Sequence, residues 1–164
     1  MKVTLKKVLN KWVTCTIYCI DNTTLVDNEY IAGCIAQKMV QQKLKVLIIG
    51  DDGFALPRFI KKFRDGIPSK MLPKIEKRVI FTINRSFAYT LVHDTDRIIA
   101  EHFDVIICLF PQTIMYDKFL KKLPDLAPIS FVFKEFRKWL TPMTPFPFDE
   151  TNIDQMIHNI THLK

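Results

Sequence analysis

Asp51 and Asp52 are the residues of this chain whose type and position are best suited to chemistry. They directly follow the aliphatic run of residues 45–50, and a run of this kind that ends in glycine is typical of a buried parallel strand. Ligands meet open α/β sheets at the carboxyl ends of the strands, and paired carboxylates are suitable oxygen ligands for Mg²⁺. The pattern indicates a nucleotide or Mg²⁺ site. In the alternative interpretation, one aspartate caps the following helix and Gly53 permits the turn.

A second candidate site is the basic segment from residue 58 to residue 78. It carries eight cations against only Asp65 and Glu76, in a chain whose net charge is +7. The cations are Arg58, Lys61, Lys62, Arg64, Lys70, Lys74, Lys77 and Arg78. Such a segment could face nucleic acid, an anionic lipid or an acidic protein, and otherwise it is a solvated helix face and loop. We predict it as an anion or partner surface.

Three further groups contain residue types that could carry chemistry or bind a ligand. Asp154, His158 and His162 recur every fourth residue, a spacing at which two histidines can bind zinc, but the absence of a third strong ligand favours a solvated helix flank. Cys108 lies in an apolar run, where burial makes a thiol unreactive. Residues 133–139 alternate cations with aromatic rings, which fits either a nucleic-acid surface or the end of a strand.

The elements that would position these residues alternate along the chain. Apolar runs predict strands at residues 3–9, 12–20, 45–50, 78–84, 103–110 and 128–133. The first two form either a hairpin or a strand preceded by a short lead-in strand. Helical spacing predicts helices at 28–42, 54–64, 97–102, 114–122 and 152–163, with Asp27 or Asn28 as the first N-cap. The proline-rich residues 141–148 would return the chain to dock the last helix or, alternatively, form an exposed recognition segment. We therefore predict a single α/β domain over residues 1–164, a three-layer α/β/α sandwich with a mainly parallel, Rossmann-like sheet.

Composition limits the class of protein. With 164 residues, 48% hydrophobic and 25% charged, the chain can bury one core. Its apolar runs are shorter than the ~20 residues of a membrane span, and its first residues lack the apolar centre of a signal peptide. A cytoplasmic protein with four reduced, buried cysteines and no membrane span is expected.

The stretch from Cys15 to Phe54 resembles the partition and division-site ATPases of the ParA/MinD type. It has their order of strand, loop, helix and strand at matching length, and Asp52 falls on the second acidic residue of their second strand. The family's K-G-G-x-G-K-T-T loop would fall on residues 23–30, Thr-Thr-Leu-Val-Asp-Asn-Glu-Tyr, which keep none of its signature residues. Leu109 replaces another expected acid. The resemblance thus implies a pseudo-ATPase that has the fold without the phosphate loop.

Two other families are similar from Lys45 onward. Asp51-Asp52 and the turn Pro147-Phe148 resemble a response-regulator receiver, although Cys108-Leu109 replaces the phosphoacceptor aspartate. The order of elements, with Pro111-Gln112 after a strand, is similar to the IIB domains of sugar phosphotransferase systems, whose active cysteine has no counterpart in residues 51–54.

Because all three resemblances lack the catalytic residue, we expect a non-catalytic regulatory or assembly module that binds a protein partner and needs no cofactor. The alternatives are a nucleotide- or Mg²⁺-dependent enzyme at Asp51 and Asp52, or a nucleic-acid-binding protein that uses residues 58–78.

Overall fold

The computed structural model describes residues 5–8, 11–22, 24, 26–50, 56–82, 95–109, 114–133 and 143–162. Its strands are β1 (Leu5–Val8), β2 (Lys11–Thr14), β3 (Thr16–Ile20), β4 (Val46–Gly50), β5 (Val79–Thr82), β6 (Val105–Leu109), β7 (Ile129–Phe133) and β8 (Thr144–Phe146). Its α-helices are α1 (Asn28–Gln41), α2 (Leu56–Arg64), α3 (Leu72–Glu76), α4 (Asp96–Glu101), α5 (Ile114–Leu126) and α6 (Ile153–Thr161), with a 3₁₀ turn at Ser69–Met71 before α3.

Strands β3 to β8 form one sheet in the order β5-β4-β6-β7-β3-β8, and all of its neighbouring strands are parallel. Strands β1 and β2 form a separate antiparallel pair in which Val8 lies opposite Lys11. The predicted α/β class, the parallel sheet and the N-terminal hairpin are therefore confirmed. None of the helices in the described part of the chain is long and apolar enough to cross a membrane.

Alternate residues of the central strands supply two separate apolar layers. Val46 and Ile48 of β4 pack with residues of α1, α2 and α6 on one face of the sheet. Leu47 and Ile49 pack with residues of α4 and α5 on the other face. Since β4 is buried on both faces, its sequence is a continuous aliphatic run instead of an alternating one.

Several predicted elements differ from those observed. The predicted strand 12–20 is two strands that join different sheets, with Cys15 between them. Between the predicted helix 54–64 and the predicted strand 78–84, where the sequence predicts no element, the structure contains α3, in whose first turn Pro73 lies. Residues 144–146, predicted as part of a proline-rich turn, pair with β3 as the edge strand β8. Of the predicted cation–aromatic segment 133–139, only Phe133 lies within the described residues, where it ends β7.

Helix α1 approaches α2 closely because of a glycine. A Cβ atom at Gly33 would lie 2.8 Å from the carbonyl oxygen of Phe59 and 3.0 Å from Cβ of Lys62. One turn further along α1, the buried Gln37 side chain donates to the backbone oxygens of Phe63 and Asp65 at the end of α2. These contacts fix the register of the two helices and so position the charged side chains between them.

Candidate functional site

The carboxyl ends of β4 and β6 lie side by side, and the connections that follow these strands pass to opposite faces of the sheet. Gly50 lies beside Leu109 in the sheet. The helix that follows β4 packs on one face and the helix that follows β6 packs on the other. This is the topological switch point at which open α/β sheets bind ligands. Asp51 and Asp52 directly follow Gly50 but lie outside the described residues, so their role stays a prediction.

A groove of about 380 Å³ lies between the first turn of α1 and α2. We call it the charged groove, and its lining residues are Val26, Asp27, Tyr30, Arg58, Lys61, Lys62 and Asp65. It includes three cations of the predicted basic surface, which the sequence alone did not connect with α1.

In the charged groove, the Asp27 carboxylate accepts hydrogen bonds from two different helices. Its Oδ1 atom accepts the backbone N–H of Tyr30 at 2.9 Å, which confirms Asp27 as the N-cap of α1. Its Oδ2 atom accepts a hydrogen bond from the Arg58 guanidinium at 2.8 Å. The cap and the ion pair therefore join the start of α1 to α2.

Two other side chains of the charged groove, those of Tyr30 and Lys62, converge on one carboxylate. Oε1 of Glu150 accepts hydrogen bonds from Lys62 Nζ at 2.6 Å and from the Tyr30 hydroxyl at 2.7 Å. Lys62 Nζ also lies 4.7 Å from the centre of the Tyr30 ring and 3.6 Å from Asp65. We call Tyr30, Lys62 and Glu150 the groove triad.

The ionisation of the groove triad is fixed by these contacts. Hydrogen bonds from Lys62 and then Tyr30 lower the pKa of the Glu150 carboxyl. Burial opposes the charge of Lys62, but hydrogen bonds with Glu150 and Tyr30 outweigh it and raise the pKa of the amine. The hydrogen bond to Glu150 raises the pKa of Tyr30. Lys62 and Glu150 are thus a stable ion pair at neutral pH, and this amine is unsuited to act as a base.

Outside the charged groove, two more of the predicted surface cations have partners. Arg64 pairs with Glu76 at 2.6 Å, and Arg78 donates to the backbone oxygen of Lys43 at 2.9 Å. The other four cations of the segment are exposed and form no ion pair within the described ranges. They are Lys61, Lys70, Lys74 and Lys77. Half of the cations in the basic segment therefore contact other parts of the chain, and the other half are exposed lysines.

The two edges of the sheet differ in their protection. Strand β8 is only three residues long and contains Pro145, which lacks a backbone donor. Strand β5, Val-Ile-Phe-Thr, has neither proline nor a charged residue, and Ile80 is 36% exposed. Among the described strands, only β4 pairs with β5.

An apolar cleft of about 280 Å³ opens beside the start of β5. We call it the α2–α3 cleft, and it is lined by Phe59, Ile60, Phe63, Arg64, Glu76 and Val79. Phe59, Phe63 and Val79 are buried and form its apolar lining, while the paired Arg64 and Glu76 are more exposed. The cleft thus offers an apolar surface with a charged border.

The remaining candidates do not form a reactive centre in the described part of the chain. Asp154 pairs with Lys38 at 3.0 Å, and the rings of His158 and His162 stack at 4.2 Å. Within the described residues, no group of three or more histidine, cysteine or acidic side chains is arranged to hold a metal. Burial raises the pKa of Cys108, as its sequence context predicted. None of the four cysteines forms a disulfide, but only Cys34 and Cys108 are buried, whereas Cys15 and Cys19 are half-buried.

Sequence reasoning missed Tyr30 and Glu150 as partners of Lys62. The only available signal was the segment Pro147-Phe148-Asp149-Glu150, which we compared with a receiver turn. Asp149 accepts hydrogen bonds from the Thr151 backbone and hydroxyl at 3.0 and 2.8 Å. This turn presents Glu150 to the charged groove. Nothing local in the sequence connects it with α1 or α2.

Neither a protein-family model, a curated protein nor a solved structure matches this chain.

Proposed function

We propose that this chain is a non-catalytic α/β module that acts through contacts with another protein, in a regulatory or assembly role. The observation that carries the proposal is the difference between the two sheet edges. Proteins usually protect an edge strand with proline, charge or brevity. The β8 edge contains Pro145, whereas the β5 edge has neither proline nor a charged residue and carries the exposed Ile80. An apolar strand edge of this kind is suited to pairing with another chain.

The charged groove supports the same proposal. Its acids are already paired with its cations, Asp27 with Arg58 and Asp65 with Lys62, and Lys62 also pairs with Glu150 from outside the groove. Such a network holds α1, α2 and the turn before α6 together. We therefore assign the groove triad a scaffolding role.

Site-specific photo-crosslinking tests the proposal. p-Benzoylphenylalanine replaces Ile80 on the β5 edge or, as a matched control, the exposed Lys121 on α5, and the chain is irradiated in its native host cells. One recurrent protein adduct is expected at position 80 and not at position 121. Equal adducts at both positions, or none at either, would contradict the proposal.

Calorimetry tests whether the module binds nucleotides, as a nucleotide-dependent enzyme would. Titration with ATP, GTP and their Mg²⁺ complexes is expected to show no binding with a micromolar dissociation constant. Micromolar nucleotide binding would decide against the proposal.

A second candidate function is a nucleotide or Mg²⁺ site at Asp51 and Asp52, which the switch point beside Gly50 and Leu109 favours. In that case Asp52→Ala should abolish ligand binding and leave the melting temperature unchanged. A lower melting temperature with no ligand effect would identify Asp52 as a helix cap instead.

A further inference from the structure

We infer that the outer edge of β5, together with the α2–α3 cleft, binds an extended segment of a partner protein in which apolar residues are followed or preceded by acidic ones. This inference rests on the proposed function and names its surface and the chemistry of its partner. The segment would add to the sheet as a further strand beside β5, a common mode of peptide recognition.

The backbone of β5 has the required direction. The N–H of Val46 donates to the carbonyl oxygen of Arg78 at 2.8 Å, and Val46 lies beside Val79 in the register. Because backbone groups alternate along a strand, Arg78 and Ile80 face β4, whereas Val79 and Phe81 direct their N–H and C=O groups away from it. These outward groups are the ones that an added strand would bond.

The α2–α3 cleft supplies a place for an apolar side chain. Val79 belongs both to β5 and to the lining of the cleft, so a strand added at β5 would run beside the opening. Alternate side chains of that strand would point towards the cleft and towards the face that carries Ile80. The segment should therefore carry apolar residues on both faces.

The charge of the surface before β5 indicates the chemistry of the rest of the bound segment. Lys70, Lys74 and Lys77 are exposed. Lys70 lies in the 3₁₀ turn, Lys74 lies in α3 and Lys77 lies directly after α3. They directly precede β5. Glu76, the acid among them, is already paired with Arg64. Three lysines before the start of the strand are complementary to acidic residues at one end of the bound segment.

The same charges disfavour a second copy of this chain as the occupant. Each copy carries a net charge of +7, so two copies repel each other. A partner with an acidic segment gains the attraction that a second copy lacks.

The probes are two fluorescein-labelled peptides, each with a central alternation of valine, threonine and phenylalanine. One peptide has three glutamates before this centre and the other has them after it, because the orientation of the added strand is open. Fluorescence anisotropy with the full chain is expected to show binding of at least one peptide that weakens as salt rises. Hydrogen exchange at the Val79 and Phe81 amides should slow by at least about tenfold on binding, because both donors become bonded.

A backbone-methylated version of the binding peptide is the matched probe control. It keeps every side chain but loses alternate N–H donors, so its affinity should fall by about tenfold or more. Equal affinity of the two versions, or no binding of either peptide at about 1 mM, would overturn the inference.

Two variants with equal charge change test the contribution of these lysines. Lys77→Glu should weaken binding of the acidic peptide about fivefold or more, whereas Lys121→Glu on α5 should change it less than about twofold. An equal loss in both variants would show attraction to net charge alone and would overturn the assignment of the site.

Light scattering of the chain alone tests whether a second copy of this chain occupies the β5 edge. A monomer is expected. A dimer that Ile80→Lys converts to a monomer would assign the β5 edge to a second copy and overturn the inference. If a recurrent adduct forms at position 80 in cells while both acidic peptides fail to bind, the partner segment has other chemistry, and only this inference falls. Absence of that adduct contradicts the proposed function itself.

Discussion

Nζ of Lys62 lies 2.6 Å from Oε1 of Glu150, a residue 88 positions later in the chain. The Lys62 side chain is only 13% exposed, whereas that of Glu150 is 46% exposed. The contact joins α2 to the turn before α6, and Tyr30 adds α1 to the same carboxylate. One exposed acid thus connects three helices of a single layer.

Glu150→Gln should destabilise the fold by about 0.5–1 kcal/mol, a modest value because solvent screens the exposed carboxylate. Urea unfolding at neutral pH measures this change. Glu101→Gln is the control, since it breaks the more exposed pair with Lys45, and its effect should be smaller. Equal effects of the two changes would show that the groove triad has no special role.

The same residue should contribute to the acid limb of the stability profile. The pKa of Glu150 in the folded chain lies below the ordinary value of 4.5. Its contribution is therefore complete above pH 4.5 and is lost as the pH falls through the lower folded-state pKa. Unfolding measured between about pH 6 and about pH 3 should show a shallower decline for Glu150→Gln than for the unchanged chain.

Gly33→Ala should destabilise the fold by about 1–3 kcal/mol, the usual effect of overpacking. The new methyl group would lie 2.8 Å from the Phe59 carbonyl oxygen, which is backbone and cannot rotate away. Helix propensity acts in the opposite direction, because alanine favours helix over glycine by about 1 kcal/mol. Thermal unfolding decides between the two effects, and a higher melting temperature would mean that the α1–α2 contact is looser than described.

Lys43→Gly should stabilise the fold by about 1 kcal/mol. Lys43 has φ of 63° just after α1, a conformation that glycine adopts without strain. Its N–H bonds to the Val40 oxygen and that of Leu44 to the Met39 oxygen, which closes the helix in a Schellman motif. Chemical denaturation measures the gain. A loss of stability would show that the Lys43 side chain contributes more than the backbone strain removes.

Asp104→Asn and Asp104→Ala should differ. The Asp104 carboxylate accepts the backbone N–H of Lys45 at 2.9 Å, and burial raises its pKa despite this bond. Asparagine keeps an acceptor without the charge, so its stability at neutral pH should stay within about 0.5 kcal/mol of the unchanged chain. Alanine leaves the Lys45 donor unpaired and should lower stability by about 1–2 kcal/mol.

The pH dependence of Asp104 should have the opposite sign to that of Glu150. Because its folded-state pKa is raised, the folded chain takes up the proton first as the pH falls towards 3.8, and the protein gains stability from this group. Asp104→Asn should remove that gain in unfolding measurements over the same pH range. An unchanged profile would contradict the assignment.

The central strands of the sheet could be predicted from the sequence because burial on both faces makes β4 and β6 apolar throughout. The edge strand β8 could not, because its residues have the composition of a proline-rich turn. The order of strands could not, since it depends on which distant segments pair. The sequence does not predict α3, because Leu72-Pro73 is typical of a chain break, although proline is well tolerated in the first turn of a helix. The split at Cys15 was missed because both halves have strand composition.

Only some residues of the charged groove could be predicted from the sequence. Lys62 stands out in the sequence as one of eight cations, and Asp27 was expected as a helix cap. Their partners depend on the packing of α1 against α2 and on the return of the chain after β8, and no local pattern encodes either. The adjacent Asp51 and Asp52 stood out more clearly in the sequence, although the structure describes neither.

The position of β3 affects how the protein must be made. Strand β3 lies between β7 and β8, so it pairs with segments from the far end of the sequence. During synthesis the ribosome releases β3 long before either neighbour, and the sheet cannot close until Phe146 has left the exit tunnel. The nascent chain therefore carries an unpaired strand until residues 129–146 emerge, and a chaperone that shields residues 16–20 would raise the yield of folded protein.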